Sequence, residues 1–248
     1  MEVLKYSIKS PKKSKFETEG IFVDFAYNPR KKVVGVISSN KRIIFWETNY
    51  AKRLLHSHEA KRNLDGIWYI ASTDEWILAT HDFFLEIWKL DFHTNSVFNI
   101  ERSFKAHDCL ITDCIEITNS NLLASSSLDG KIKIWDLEDY SLLTELTDVT
   151  MKKKAFQNGR NGVRALSYTH ESGGNMLSIG YHSYINVWSP DSSLSKSFVG
   201  RLEGHSGIVV CCKALAGTPY CISVDDKHSI RVWDLRSFLT IQMIRDEA

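Results

Sequence analysis

The sequence predicts an all-β fold built from repeated four-stranded sheets, and three observations lead to that fold class. Tryptophan recurs after short alternating runs, at spacings of 42, 47, 53 and 45 residues. The residues one and three positions before each tryptophan are apolar, which is the period of a strand with one buried face. No segment of ten or more residues has the apolar spacing of an amphipathic helix. The five tryptophans are Trp46, Trp88, Trp135, Trp188 and Trp233.

Length and composition narrow the function classes before any motif is considered. The chain has 248 residues, 43% of them hydrophobic, and a formal net charge of +1. A charge so close to zero makes nucleic acid an unlikely partner. The first residues have no apolar signal region, and the apolar runs are too short to cross a bilayer. We therefore expect a cytoplasmic protein without a membrane partner, with its five cysteines reduced because they form no C-x-x-C pair.

Polar residues also recur at fixed distances before the tryptophans. A serine stands ten residues before three of them, a histidine 28 residues before two, and an aspartate six residues before two. Independent residue types that share one register indicate a repeat of about 45 residues. The residues are Ser125, Ser178 and Ser223, then His107 and His205, then Asp82 and Asp129.

The third repeat shows the expected internal structure most clearly. Its alternating segments "LITDCIEI", "LLASSSL", "KIKIWDL" and "SLLTEL" predict four strands. Asp129-Gly130 separates the second and third segments, and Asp-Gly between alternating apolar runs is a strong signal for a tight turn. Each repeat is therefore expected to be one four-stranded sheet.

This pattern resembles the WD40 β-propeller family from about Gly20 to the C-terminus. The resemblance implies that a buried His, Ser, Asp and Trp form a hydrogen-bonded tetrad within a blade. His107, Ser125, Asp129 and Trp135 match that tetrad in full. The last repeat matches it at His205, Ser223 and Trp233, with Lys227 at the position of the aspartate and Asp226 before it.

The other repeats depart from the family pattern. The fourth keeps Ser178 and Trp188 but has Arg160 at the histidine register. The first and second have Val36 and Leu78 at the serine register. A buried histidine needs partners for both ring nitrogens, which a serine hydroxyl and an aspartate carboxylate can supply.

The repeats divide the chain into five blades of one propeller region over residues 1–248. The predicted blades are 20–55, 56–104, 105–146, 147–202 with an inserted loop at 147–162, and 203–248. Residues 1–19 include a candidate lone strand that closes the ring. Propellers have four to eight blades. Five blades are compatible with three arrangements. The chain could close as a five-blade ring, form part of a longer propeller, or be completed by a partner. We favour the longer propeller because the last strand, "SFLTIQMI", stops almost at the C-terminus.

Two groups of basic residues are candidates for contact with an acidic partner such as tubulin tails or phosphate. One is Lys152-Lys153-Lys154 in the inserted loop. The other combines Lys12-Lys13-Lys15 with Arg30-Lys31-Lys32. Lysine clusters of this kind are most often simply solvated surface, and that is the competing interpretation. No aromatic residues alternate with them, so they give no support to base recognition.

A short motif in the last repeat suggests an alternative function. Trp233-Asp234-Leu235-Arg236 matches the W-D-x-R ending of WD40 substrate receptors that dock on cullin-4 ubiquitin ligase adaptors. That resemblance implies that Arg236 is the docking residue. An ordinary strand end with a solvated or ion-paired arginine is the competing interpretation.

The chain is expected to be a non-catalytic protein-interaction scaffold without a cofactor. Ser, His and Asp in one repeat have the composition of a hydrolase triad, but they follow the repeat register. No phosphate-binding loop, nucleophile elbow or zinc-binding helix motif is present.

The last blade also resembles blades of large WD-repeat proteins of motile cilia. "GTPYCIS" and "RVWDLRSF" carry that resemblance. It implies an assembly component of the ciliary axoneme, bound to microtubule-associated complexes.

Overall fold

The computed structural model describes six segments of the chain, namely residues 21–48, 54–90, 98–118, 120–147, 162–190 and 197–245, except for the side chains of residues 54–56, 98, 99 and 172. The predicted lone strand at 1–19 and most of the inserted loop at 147–162 lie outside these residues.

The described residues form twenty strands in five antiparallel sheets, each made of four strands consecutive in sequence. Sheet 1 contains β1 (Phe22–Asn28), β2 (Val33–Ser38), β3 (Arg42–Glu47) and β4 (Leu54–Glu59). Sheet 2 contains β5 (Leu64–Ile70), β6 (Glu75–Thr80), β7 (Phe84–Leu90) and β8 (Phe98–Lys105). Sheet 3 contains β9 (Ile111–Ile117), β10 (Leu122–Ser127), β11 (Lys131–Asp136) and β12 (Leu142–Thr147). Sheet 4 contains β13 (Val163–Thr169), β14 (Asn175–Gly180), β15 (Tyr184–Trp188) and β16 (Phe198–Glu203). Sheet 5 contains β17 (Val209–Ala214), β18 (Tyr220–Asp225), β19 (Ser229–Asp234) and β20 (Leu239–Arg245).

Helix is limited to one turn within the described segments, α1 (Glu171–Gly174), between β13 and β14. In those segments no helix has the length and apolar character needed to cross a bilayer. The prediction of an all-β fold with four-stranded repeats is confirmed.

The turn between the second and third strands ends in a left-handed residue in four of the sheets. Its last residue has a positive φ at Lys41, Phe83, Gly130 and His228. Only Gly130 adopts this left-handed conformation without a steric cost. The predicted Asp129-Gly130 turn therefore marks the sheet in which the local sequence best suits the turn.

The hydrophobic core lies between adjacent sheets rather than within one layer. Four clusters of buried side chains join sheet 1 to 2, 2 to 3, 3 to 4 and 4 to 5. Each fully buried aliphatic side chain contributes about 1.5–3 kcal/mol. The innermost strands β1, β5, β9, β13 and β17 stand next to one another in that order. Among the described residues the sheets follow one another in an arc that does not close into a ring.

The sheets run past the predicted blade boundaries. β4 ends at Glu59, four residues beyond the boundary predicted at residue 55, and β8, β12 and β16 end one residue beyond theirs. The pairing of the third with the fourth strand shifts register just before the tryptophan in every sheet, as between Phe45 and Trp46 of sheet 1.

Candidate functional site

Sheet 3 joins its four predicted polar residues in one chain of hydrogen bonds. The indole Nε1 of Trp135 donates to Ser125 Oγ over 2.9 Å. Ser125 Oγ lies 2.8 Å from His107 Nε2, and His107 Nδ1 lies 2.9 Å from Asp129 Oδ2. Ser125 comes from β10 and Trp135 from β11, while His107 and Asp129 come from two loops at one end of the sheet. The chain therefore ties strands and loops together.

The chemistry of the donors fixes the direction of this chain. An indole can only donate, so Ser125 Oγ accepts from Trp135 and has its own proton left to give. That proton goes to His107 Nε2, because an ionised Asp129 needs the proton on Nδ1. With His107 neutral and its proton on Nδ1, each of the four side chains has a matching hydrogen-bond donor or acceptor.

Asp129 is held in its charged form. Burial acts to raise the pKa of its carboxyl, but hydrogen bonds from His107 and from the backbone N–H groups of Lys131 and Asp108 outweigh burial. The pKa of Asp129 consequently lies below its ordinary value. This carboxylate also organises the turn that precedes β11.

Sheet 5 repeats this arrangement with a different carboxylate from the one the register indicated. Trp233 Nε1 donates to Ser223 Oγ over 2.7 Å, and Ser223 Oγ lies 2.6 Å from His205 Nε2. His205 Nδ1 lies 3.0 Å from Asp225 Oδ2. Lys227, which stands at the expected aspartate register, gives only its backbone N–H to Asp225 Oδ1.

Asp225 is the residue that sequence reasoning missed, and the sequence contains a signal for it. It lies two residues after Ser223, so both side chains project from the same face of β18. Asp226, the residue next to the predicted position, accepts instead from the backbone N–H of Ile208. The carboxylate partner of His205 can be identified from the strand face that Ser223 occupies. It cannot be identified from the number of residues that separate it from Trp233.

Burial dominates the ionisation of His205. Removal from water lowers the pKa of its imidazole below the ordinary value, although the neighbouring Asp225 acts in the opposite direction. Asp225 keeps a lowered pKa in spite of burial, because it accepts N–H groups from Ser229, His205, Gly207 and Lys227.

Sheets 4 and 2 carry shorter versions of this arrangement. In sheet 4, Trp188 Nε1 donates to Ser178 Oγ over 2.8 Å, and Arg160, at the histidine register, lies outside the described residues. A cavity of about 10 Å³, close to the smallest that can hold one water molecule, borders Ser178 and Trp188. In sheet 2, Leu78 offers no acceptor, and Trp88 Nε1 donates to the buried carboxylate of Glu86 over 3.2 Å.

Carboxylates on the innermost strands connect neighbouring sheets, and the sequence analysis did not identify them. Asp24 on β1 accepts the backbone N–H of Ile67 on β5 over 3.0 Å. Asp113 on β9 accepts the N–H of Leu166 on β13 over 2.8 Å. Both are the third residue of their strand. The signal was an acidic residue at one fixed strand position in two of the five repeats.

Asp113 also accepts a hydrogen bond from the preceding sheet. The indole Nε1 of Trp68 donates to Asp113 Oδ1 over 3.1 Å, so this carboxylate links sheets 2, 3 and 4. Gly66 makes room for the indole, because a Cβ there would lie 2.3 Å from the Trp68 ring. Burial raises the pKa of Asp113 in spite of these donors.

Arg236 is engaged within its own strand end. Its Nε and Nη2 atoms donate to the two carboxylate oxygens of Asp234 over 2.9 and 2.7 Å. This ion pair lowers the pKa of Asp234 to about 2. The Arg236 side chain remains 60% exposed and lies 5.8 Å from the centre of the Tyr220 ring. A docking partner would have to compete with Asp234 for the guanidinium group.

The predicted basic groups are only partly within the described residues. Lys152, Lys153 and Lys154 lie outside them, as do Lys12, Lys13 and Lys15. Arg30, Lys31 and Lys32 are described. Lys31 forms an ion pair with Asp74 of the neighbouring sheet at 2.5 Å.

The described part of the molecule offers these polar sets no access to a substrate. Ser125 and Ser223 are 0% and 1% exposed, and each hydroxyl already serves both an indole and an imidazole. Within the described segments, no group of three His, Cys, Asp or Glu residues is placed to hold a metal ion. These sets are arranged to hold strands and loops together.

Comparisons with known proteins agree with this geometry. The family model described as "WD domain, G-beta repeat" matches residues 98–136 and 196–234, each of which ends at the third strand of a sheet. The Tetrahymena thermophila protein "Cilia- and flagella-associated protein 337 B" is 25% identical over 243 residues, which cover 93% of this chain and 18% of that protein. The Kluyveromyces lactis "Probable cytosolic iron-sulfur protein assembly protein 1" is 26% identical over 128 residues, covering 48% of this chain and 35% of that protein.

The fold and the tryptophan-centred hydrogen bonds define a β-propeller chain with an open arc of blades. Two stretches of the chain match the WD40 repeat, and the five four-stranded sheets are consistent with WD40 propeller blades. It spans about a fifth of the length of the ciliary relative and about a third of the other.

Proposed function

We propose that this protein is a non-catalytic scaffold that holds other proteins in a large assembly, and that the assembly belongs to the ciliary axoneme. One observation carries the scaffold proposal. The residues that resemble a catalytic triad are buried and fully used as hydrogen-bond partners, so the chemistry available to the described blades is that of their surfaces. WD40 repeats act in this way as protein-binding platforms.

The ciliary part of the proposal has separate support. A relative named as a cilia- and flagella-associated protein aligns with 93% of this chain. The sequence of the last blade independently resembles ciliary WD-repeat proteins. The formal charge of +1 leaves contacts with an acidic filament to local basic groups such as Lys152-Lys153-Lys154.

The experiment is fractionation of ciliated cells that express the tagged protein. Cilia are isolated and extracted with detergent, and the axonemes are compared with the cytosol by immunoblot. We expect the protein to stay with the axonemes. Retention in the cytosol alone would rule out the axonemal proposal.

Charge variants then test the contact surface. Replacement of Lys152, Lys153 and Lys154 by alanine is expected to reduce the axonemal fraction at least threefold. Replacement of the exposed Lys61, Lys89 and Lys227 by alanine is the control, because it removes the same charge outside both predicted basic groups. Equal losses from both variants would mean that total charge, and not the inserted loop, holds the protein.

The same cells test the cullin-4 alternative. If the protein is a ligase receptor, its adaptor copurifies with it and Arg236→Ala abolishes that copurification. Absence of the adaptor from the purified material would exclude this alternative.

A further inference from the structure

A small cavity lies between sheets 3 and 4, beside the indole–serine pair of sheet 4. Ile132 and Leu146 line it from sheet 3, while Ser178 and Trp188 line it from sheet 4. Its volume of about 10 Å³ is close to the smallest that can hold one water molecule. A ligand larger than water therefore does not fit at this place.

The Ser178 hydroxyl has a proton to give at this cavity. Ser178 is 2% exposed and accepts the indole N–H of Trp188, so its own proton is left to donate. In sheets 3 and 5 the equivalent serine pairs with His107 or His205. Within the described segments, no side chain accepts from Ser178 in this way. A buried hydroxyl without an acceptor is costly, so the site calls for one.

A histidine stands at the aspartate register of sheet 4. His182 comes six residues before Trp188, as Asp129 comes six residues before Trp135. It lines the same cavity. Its Nδ1 lies 2.7 Å from the carbonyl oxygen of Tyr184, and a carbonyl only accepts, so this nitrogen carries a proton. Sheet 4 thus has an imidazole where sheet 3 has a carboxylate.

Gly180 gives this imidazole its room. It lies two residues after Ser178 on β14, at the strand position that Asp225 occupies in sheet 5. A Cβ at Gly180 would lie 3.0 Å from His182 Nε2, which is closer than ordinary van der Waals contact. The imidazole of sheet 4 therefore takes the space beside a serine that a carboxylate takes in sheet 5.

An amide also lines the cavity, directly across the sheet from the serine. Asn186 pairs with Ser178 in the ladder of β14 and β15 and is 2% exposed. Lys133 and Arg231 hold the corresponding places in sheets 3 and 5, and both can only donate. An amide both donates and accepts, as a water molecule does. The polar lining of this cavity therefore differs from that of the two complete sets.

A ladder of stacked groups joins the two polar lining residues. The Tyr184 ring stacks on His182 with ring centres 3.7 Å apart. The Arg201 guanidinium group lies 4.2 Å from the centre of the Tyr184 ring, and Arg201 Nε donates to Asn186 Oδ1 over 3.0 Å. These contacts fix His182 and Asn186 at the cavity.

We propose that one water molecule occupies this cavity and takes the place of the histidine in sheet 4. It accepts the proton of Ser178 and bonds to His182 and Asn186. Three polar partners are the usual number for a buried water molecule. The indole–serine pair of sheet 4 is then the start of a longer hydrogen-bonded set, with solvent as one member.

Water contacts of the indole N–H groups test the proposal in the unsubstituted protein. NMR of isotope-labelled protein resolves each indole N–H, and a nuclear Overhauser cross-peak at the water frequency reports a long-lived water molecule nearby. We expect the Trp188 cross-peak to be roughly threefold or more stronger than those of Trp135 and Trp233, where an imidazole takes the place of water. These two indoles are matched controls, because each also donates to a serine hydroxyl.

A crystal structure of the same protein identifies the atoms in the cavity. We expect an isolated spherical density peak at hydrogen-bond distance from Ser178 Oγ, about 2.7–3.0 Å.

A variant tests the residue at the histidine register. Arg160→Ala should leave the urea midpoint unchanged, because water and not this side chain completes the set. Lys153→Ala removes another cation of the inserted loop and is the control.

Three results would overturn the proposal. A weak or missing Trp188 cross-peak is one, and cross-peaks of equal strength at all three indoles, which exchange of the serine hydroxyls would produce, are another. The third is side-chain density in the cavity, together with a loss of stability from Arg160→Ala that Lys153→Ala does not share.

Discussion

Sheets 3 and 5 contain the same Trp–Ser–His chain but obtain their carboxylate from different places. Asp129 reaches His107 from the turn after β10, at 2.9 Å. Asp225 reaches His205 from the end of β18, at 3.0 Å. The bond to the imidazole is nearly the same length in both blades. What the fold requires is an acceptor at one point in space, and two different sequence positions can supply it.

The two carboxylates differ in the number of backbone N–H groups from which they accept hydrogen bonds. The Asp129 side chain is 9% exposed and accepts two backbone N–H groups besides His107. The Asp225 side chain is fully buried and accepts three. Buried acceptors with more donors leave more groups unsatisfied when they are removed. We therefore expect removal of the carboxylate to destabilise sheet 5 more than sheet 3.

The largest expected effect comes from removing these two carboxylates. Asp225→Ala is expected to lower the free energy of unfolding by about 3–5 kcal/mol, and Asp129→Ala by about 2–3 kcal/mol. Urea titration followed by tryptophan fluorescence measures both. Lys227→Ala is the control at the position that the register indicated, with an expected change within about 0.5 kcal/mol. A larger loss from Lys227→Ala than from Asp225→Ala would contradict the structure of this blade.

A second pair of variants compares a complete hydrogen-bonded set with a short one. Trp135→Phe removes the donor at the head of a chain through Ser125, His107 and Asp129, and should cost about 2 kcal/mol. Trp188→Phe removes a single indole–serine bond and should cost about 1 kcal/mol. Urea unfolding of both variants gives the difference. Equal costs would mean that the bonds beyond the serine add nothing to the indole contact.

Acid should weaken the fold partly through His205. Because its pKa is lowered in the folded state, the unfolded chain binds the proton first as the pH falls below about 6.5. The free energy of unfolding should therefore decrease from pH 6.5 to pH 5, and His205→Gln should flatten that slope. Urea midpoints across this range provide the measurement, with His170→Gln at an exposed histidine as the control. The lowered pKa values of Asp129 and Asp225 add a further loss below about pH 4.

The smallest effect is expected at the end of sheet 5. Arg236 pairs with Asp234 in solvent, where ion pairs contribute little because water and salt screen them. Arg236→Ala should leave the urea midpoint unchanged within error. A clear loss of stability would show that Arg236 supports the strand end beyond the contacts with Asp234 and Tyr220.

Much of the fold could be predicted from local sequence. Alternation before each tryptophan specifies the third strand, because a half-buried strand repeats its environment every two residues. The third repeat was the easiest to interpret, since Asp129-Gly130 combines a turn aspartate with a residue free to adopt positive φ. Phe83 and His228 take the same conformation without such a signal, because the surrounding sheet imposes it.

The candidate site was only partly predictable. In sheet 3 the residues selected by their spacing from the tryptophan are also the ones joined by hydrogen bonds. These residues are His107, Ser125, Asp129 and Trp135. Asp225 was missed because the distance to the histidine, and not the distance to the tryptophan, selects the carboxylate. Asp24 and Asp113 share a strand position, but that position alone does not reveal their role, because their partners are backbone N–H groups of the next sheet.

The sequence by itself determined the repeat, the four strands of each blade and the polar residues that share a strand face, because these depend on contacts between neighbours in one sheet. The tertiary structure alone decided which carboxylate completes sheet 5, which strands connect the blades and which apolar faces stay uncovered. Those features depend on how one sheet stands against the next. The faces of Ile185 and Ile230 are alike in sequence, and only the presence of a neighbouring blade makes one buried and leaves the other open.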